Sequence, residues 1–179
     1  MAGRSPRLSK LRTVSSGFRL PDQVGDVEIL LVEDNPNDAE LAVHALTRNF
    51  ISNRIELVRD GAEALDFLFR RGEFAHRAGE PMPRLILLDN KLPKVSGLEV
   101  LQQIKRDDRT RSIPVVMLTS SREQQDVIEG YDLGLNGYVV KPFDFKQFTE
   151  SVATLGLYWL VLNSPPVDGR AARGAAAKD

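Results

Sequence analysis

Four short apolar runs in this chain each end on a residue that carries a charge or a hydroxyl, and that repeated ending constrains the fold more than any other feature. Leu85-Ile86-Leu87-Leu88 ends at Asp89, and Ile29-Leu30-Leu31-Val32 ends at Glu33-Asp34. Val115-Val116-Met117-Leu118 ends at Thr119, and Tyr138-Val139-Val140 ends at Lys141. A short, unbroken apolar run reads as a strand buried on both faces, the habit of parallel sheets covered by helices. In open sheets of that kind, ligands bind beyond the carboxyl ends of the strands. Acid, acid, hydroxyl and amine would converge there, on a site suited to a cation and a phosphoryl group.

The segments between the runs are amphipathic. The pattern predicts β1 over 27–32, α1 over 36–49, β2 over 54–59, α2 over 61–71 and β3 over 84–88. It continues with α3 over 97–107, β4 over 113–118, α4 over 122–132, β5 over 137–140 and α5 over 144–162. Five strands alternating with five helices argue for a parallel sheet with helices on both faces, an α/β doubly wound architecture. Pro36 after Asn35 suits a helix start, as does Ser96 before Gly97 and the apolar Leu98, Val100, Leu101 and Ile104. The connection 72–83, GEFAHRAGEPMP, is long for its place, which predicts a surface segment carrying a partner contact.

Composition sets bounds without choosing a function. The 179 residues are 42% hydrophobic and 27% charged, enough for one core with tails, and the formal net charge of -1 offers no whole-chain argument for binding nucleic acid. No cysteine is present, so disulfides, thiolate metal sites and cysteine nucleophiles are excluded. No apolar run approaches the roughly 18 residues of a membrane-spanning helix, and no signal-peptide core follows the basic N-terminus, so a cytoplasmic location is expected. Residues 1–25 hold Arg4, Arg7, Lys10, Arg12 and Arg19 among Ser, Gly and Pro and read as a flexible basic arm. Residues 164–179 read as a disordered tail, leaving 26–163 as the folded domain.

Each candidate residue has a plainer alternative. Asp or Thr after a strand is often only the N-cap of the next helix. A lysine before a proline is commonly a solvated loop residue, and paired acids such as Glu33-Asp34 more often face water than metal. The site reading rests on four such residues falling at the same sheet edge. His44 and His76 fit no ligand spacing and read as surface or helix-packing residues.

In this order and at these separations, VEILLVEDNPND, LLDNKLPKVSGLEVL, IPVVMLTS and GYVVKPF resemble the receiver domain of two-component response regulators, over about residues 27 to 162. The resemblance implies a flavodoxin-like fold with strand order 2-1-3-4-5 and phosphorylation of Asp89 by a sensor histidine kinase in a phosphorelay. It implies Mg²⁺ held directly by Asp34, Asp89 and the backbone carbonyl of Lys91, with Glu33 acting through water. Glu33 stands where aspartate is commoner in the family. Lys141 would pair with the phosphoryl oxygens, Thr119 would hydrogen-bond one of them, and Tyr138 would be the rotamer switch coupled to Thr119. Lys91, two residues after Asp89, would flank the path of the hydrolytic water.

Other functions fit less well. A nucleotide-binding module would need a Gly-rich turn after β1, where this chain has Glu33-Asp34-Asn35-Pro36. A phosphatase of the haloacid dehalogenase type would carry a second aspartate two positions after its nucleophile, but Asn90 and Lys91 follow Asp89. The remaining rival is a receiver-like interaction or dimerisation domain acting without phosphorylation. Little sequence follows α5, so a stand-alone signalling protein is expected, not an enzyme in its own right and with no direct DNA binding. The 72–83 segment and the apolar LGLYWLVLN resemble single-domain regulators that partner bacterial phytochrome kinases. The run Leu155 to Leu162 exceeds what one helix stripe can bury, which predicts a homodimer through α4, β5 and α5 with Tyr158, Trp159 and Leu160 near the contact.

Overall fold

A computed structural model describes residues 27–48, 54–120, 124–141 and 144–163. The predicted basic arm and C-terminal tail lie outside these residues, as do positions 49, 122 and 123 at the predicted ends of α1 and α4. Five strands, β1 (Val27–Val32), β2 (Arg54–Val58), β3 (Leu85–Leu88), β4 (Val115–Thr119) and β5 (Gly137–Val140), form one parallel sheet in the order β2-β1-β3-β4-β5. The helices are α1 (Pro36–Arg48), α2 (Gly61–Phe69), α3 (Gly97–Arg106), α4 (Gln124–Asp132) and α5 (Phe145–Leu157). The flavodoxin-like doubly wound architecture expected from the alternation is therefore the one observed. No helix among the described residues is long and apolar enough to cross a membrane.

The apolar runs look continuous because both faces of the sheet are covered. Leu30, Val32, Ile86, Leu88, Val115 and Met117 point to one side, packing with Phe67, Leu68, Leu101 and Ile104 of α2 and α3. Ile29, Leu31, Leu85, Leu87, Val116 and Leu118 point to the other, against Ala42, Val43 and Leu46 of α1 and Phe148 and Val152 of α5. Side chains alternate along each strand, yet none of the central positions meets water. Burial of each such Leu or Ile side chain contributes about 1.5–3 kcal/mol.

Local chemistry sets the helix ends. Asp60 caps α2 by accepting from the Glu63 amide at 2.8 Å, and Ser96 with Glu99 forms a capping box at the start of α3. The α2 helix stops two residues earlier than expected because Arg70 turns left-handed, at φ 57°, and the Arg71 amide closes back on the Asp66 carbonyl at 2.8 Å. The β4 strand begins after Pro114, which has no amide to donate to the ladder. The last five residues of the predicted α5, Tyr158–Leu162, wind as a π turn.

The segment 72–83 lies mostly at the surface, as expected, but two of its side chains anchor it to the core. It contains a 3₁₀ helix, Gly72–Arg77, whose Phe74 and Arg77 are buried. Phe74 meets Phe67 edge to face at 5.2 Å between ring centroids. The Arg77 guanidinium lies 3.6 Å from the Phe67 centroid and pairs with Glu80 at 2.9 Å. A cation stacked on a core aromatic and neutralised by its neighbour fastens this segment to the domain, while most of its other residues, Glu73 and His76 among them, are exposed.

Candidate functional site

The strand ladder extends one residue past the sheet, and this extension aligns the site. The Glu33 amide donates to the Val58 carbonyl at 3.0 Å and the Asp89 amide to the Val32 carbonyl at 3.0 Å. The Lys141 amide donates to the Thr119 carbonyl at 2.7 Å. Glu33, Asp89, Thr119 and Lys141 thus stand at one edge, where the chain order reverses between β2-β1 and β3-β4.

Lys141 Nζ is the hub of this edge. It donates to Glu33 Oε2 at 2.6 Å, Asp89 Oδ2 at 2.7 Å and Asp38 Oδ2 at 2.9 Å. Glu33 is 2% exposed and its other oxygen accepts from the Asn35 amide at 3.2 Å. Asp89 is 6% exposed, and its Oδ1 accepts from the Lys91 amide at 3.1 Å. Burial raises the Glu33 carboxyl to about 7 against the opposing pull of the Lys141 charge. Burial alone would lower the Lys141 pKa, but the Glu33 charge and the bonds to Asp89 and Glu33 outweigh it, leaving the ammonium above its ordinary value.

Asp34 is exposed beside this network, and Glu33, Asp34 and Asp89 each offer one oxygen within 4.8 Å of the others. Three carboxylate oxygens this close, on hard oxygen donors alone, fit a hard divalent cation, which takes carboxylates and water in an octahedron. The Lys91 amide is tied to Asp89, so its backbone passes beside the cluster. The loop carrying these groups is clasped by two helices. The Gly97 amide donates to the Asn90 carbonyl at 2.9 Å, and Lys94 reaches Asp60 at 2.5 Å from a left-handed backbone, φ 65°.

Thr119 is fully buried. It lies on the same face of β4 as Met117, and Met117 pairs with Tyr138 of β5, so Thr119 and Tyr138 share the sheet face that packs with Leu98 and Leu133. Tyr138 is half-buried there. His44 and His76 are both exposed, on α1 and on the 3₁₀ helix.

The expected dimer residues separate. Leu160 is 5% exposed and belongs to the core under α1, and its carbonyl accepts from Arg84 at 2.9 Å, so its side chain is not available to a partner. Trp159 is half-buried against the same core and meets Tyr158 edge to face at 5.0 Å. Tyr158 is exposed, with Leu157, Val161 and Leu162. Along this run the residues fall in pairs, with Leu157 and Tyr158 facing outward, Trp159 and Leu160 inward, and Val161 and Leu162 outward again.

Sequence reasoning missed Asp38 and the Asn90–Asp126 hydrogen bond of 2.9 Å that joins the loop after β3 to α4. Asp38 had a signal, since it follows Asp34 by four residues and falls in the first turn of α1. Which way that turn faces depends on how α1 lies on the sheet.

Residues 29–153 match the profile of the response regulator receiver domain. The chain is 44% identical over 138 residues to the "Probable methanogenesis regulatory protein FilR2" of Methanothrix harundinacea, covering 77% of this chain and 86% of that protein. It is 40% identical over 132 residues to response regulator Rcp1 of Synechocystis, covering 74% and 88%. A solved Mn(2+)-bound form of Rcp1 superposes with a TM-score of 0.73 at 38% identity, over 79% of this chain and 99% of that one. The bacteriophytochrome response regulator RtBRR is 54% identical, with a TM-score of 0.64 over 85% of this chain and 91% of that structure.

Proposed function

This chain belongs to the response regulator receiver family, and from that premise we propose that it accepts a phosphoryl group on Asp89 from a sensor histidine kinase and signals through protein contacts. The observation that carries the reading is the bonding of Lys141 Nζ to both Asp89 and Glu33 at the carboxyl edge of the sheet. An Asp89 oxygen forms a bond to phosphorus as the phosphorus–nitrogen bond of a phosphohistidine breaks, leaving an acyl phosphate and releasing the imidazole. A carboxylate is a weak nucleophile, so positioning and charge neutralisation supply most of the acceleration. Lys141 provides one positive charge beside the incoming oxygens, and Thr119 provides a hydroxyl at the same edge. Mg²⁺, held by Asp34, Asp89 and the Lys91 carbonyl with Glu33 through water, would neutralise charge on the transferring group. The three neighbouring carboxylates and the Mn(2+)-bound Rcp1 structure support a divalent cation here.

The kinase is proposed to be a bacteriophytochrome, on the likeness to the bacteriophytochrome response regulator RtBRR. Output is proposed to run through a homodimer on the α4-β5-α5 side. Among the described residues, every exposed large apolar side chain lies on α4 (Ile128, Tyr131) or on α5 and its π turn (Phe145, Leu157, Tyr158, Val161, Leu162). Large apolar side chains left exposed on these elements support an interaction surface there.

Incubation with acetyl phosphate and Mg²⁺ should label the native chain, and Asp89→Asn or chelator should abolish the label. Stable labelling of Asp89→Asn would overturn the assignment. A native chain that takes no label, yet still dimerises, would favour the rival reading of an interaction domain acting without phosphate.

A further inference from the structure

An ammonium has three donors, and the fold gives Lys141 three carboxylates: Glu33 at 2.6 Å, Asp89 at 2.7 Å and Asp38 at 2.9 Å. The three are not equivalent. Glu33 and Asp89 belong with Asp34 to the cluster whose oxygens lie within 4.8 Å of one another, and Asp38 does not. Glu33 and Asp89 side chains are 3% and 8% exposed, whereas Asp38 is 32% exposed. Asp38 therefore approaches Lys141 from the rim of the pocket, out of the first turn of α1, where the helix end favours a carboxylate.

On the phosphoacceptor reading above, the cation and the phosphoryl group engage Glu33 and Asp89, the two acidic partners that Lys141 shares with the cation site. Asp38 is the third partner, and nothing in that reading occupies it. We propose that Asp38 is a positioning residue that keeps the Lys141 ammonium at the rim of the pocket while Glu33 and Asp89 turn to the cation and the phosphoryl group. Without Asp38, the lysine falls back on the oxygens of Glu33 and Asp89, where it competes with the cation and leaves the incoming oxygens without its charge.

A partly exposed ion pair could instead contribute little, and a double-mutant cycle between Asp38→Asn and Lys141→Met separates the two cases. Isothermal titration of the metal-free chain with Mg²⁺ should show Asp38→Asn raising the Kd about tenfold in the native background but only about threefold when Lys141 is already methionine, the remainder being simple loss of charge. Labelling by acetyl phosphate at saturating Mg²⁺ should slow about tenfold in Asp38→Asn, and Asp38→Glu should recover most of that rate. Equal losses of affinity in both backgrounds would mean that Asp38 acts by its field alone and would overturn the proposal, as would native affinity and rate in Asp38→Asn. A native chain that never labels would overturn the phosphoacceptor reading instead, and the Mg²⁺ cycle, which needs no phosphate, would still decide the role of Asp38.

Discussion

Gly97 at the start of α3 lies so close to Asp89 that a Cβ on it would sit 2.3 Å from the Asp89 carbonyl oxygen and 2.7 Å from the Asn90 Cα. Gly61, at the start of α2, stands in the same relation to the far end of the loop, where a Cβ would come within 2.1 Å of the Val95 carbonyl oxygen. Residues 89–96 are thus held between two helix starts that only glycine allows. Gly97→Ala must push backbone against backbone, with an expected stability loss of about 1–3 kcal/mol. Its effect on labelling of Asp89 should exceed what the unfolded fraction explains. Urea denaturation read beside acetyl phosphate labelling checks this, and unchanged values in both would show that the loop yields freely.

Thr119 and Tyr138 share one sheet face, which gives the expected switch a physical path. Phosphorylation should draw the Thr119 hydroxyl toward the new oxygens and bias Tyr138 inward, shifting a balance between states that already exist. Thr119→Ala should still be labelled at Asp89, while the NMR signals of the Tyr138 ring should no longer move on phosphorylation. A native-sized shift of those signals in the variant would remove Thr119 from the relay.

Arg77 is a test of how firmly the 72–83 segment is anchored to the core. Removing its guanidinium loses the stack on Phe67 and leaves Glu80 and the Phe67 carbonyl without that donor. Arg77→Ala should cost about 2–4 kcal/mol, visible as a lower urea midpoint, while the folded fraction labels at the native rate. A loss below about 0.5 kcal/mol would show that Arg77 does not anchor the segment.

Tyr158 and Leu160 are two positions apart and are expected to respond in opposite ways. Tyr158→Glu places a charge on an exposed apolar surface and should give a folded monomer by light scattering. Leu160→Ala empties a core position and should cost about 2–5 kcal/mol without changing the assembly. A Tyr158→Glu chain of unchanged mass would move any dimer contact away from the π turn.

The fold and the edge that carries the site were legible in the sequence because both depend on local order. Leu85 to Leu88 are apolar whichever face each meets, and Asp89 must follow at the strand end. Chain continuity alone therefore places Glu33, Asp89, Thr119 and Lys141 at the same side of a parallel sheet. The strand order followed from the receiver motifs, not from periodicity. What tertiary structure alone decided is the rotation of each element about its own axis. Asp38 reaches Lys141 only because α1 lies on the sheet with that turn facing the Lys141 ammonium, a contact between residues 103 apart in sequence. Arg77 is buried because Phe67 waits beneath it, and Leu160 is core while Tyr158 is surface because the end of α5 lies with the Leu160 side against the sheet and α1. Phase of this kind is set by packing between distant segments, and local periodicity does not carry it.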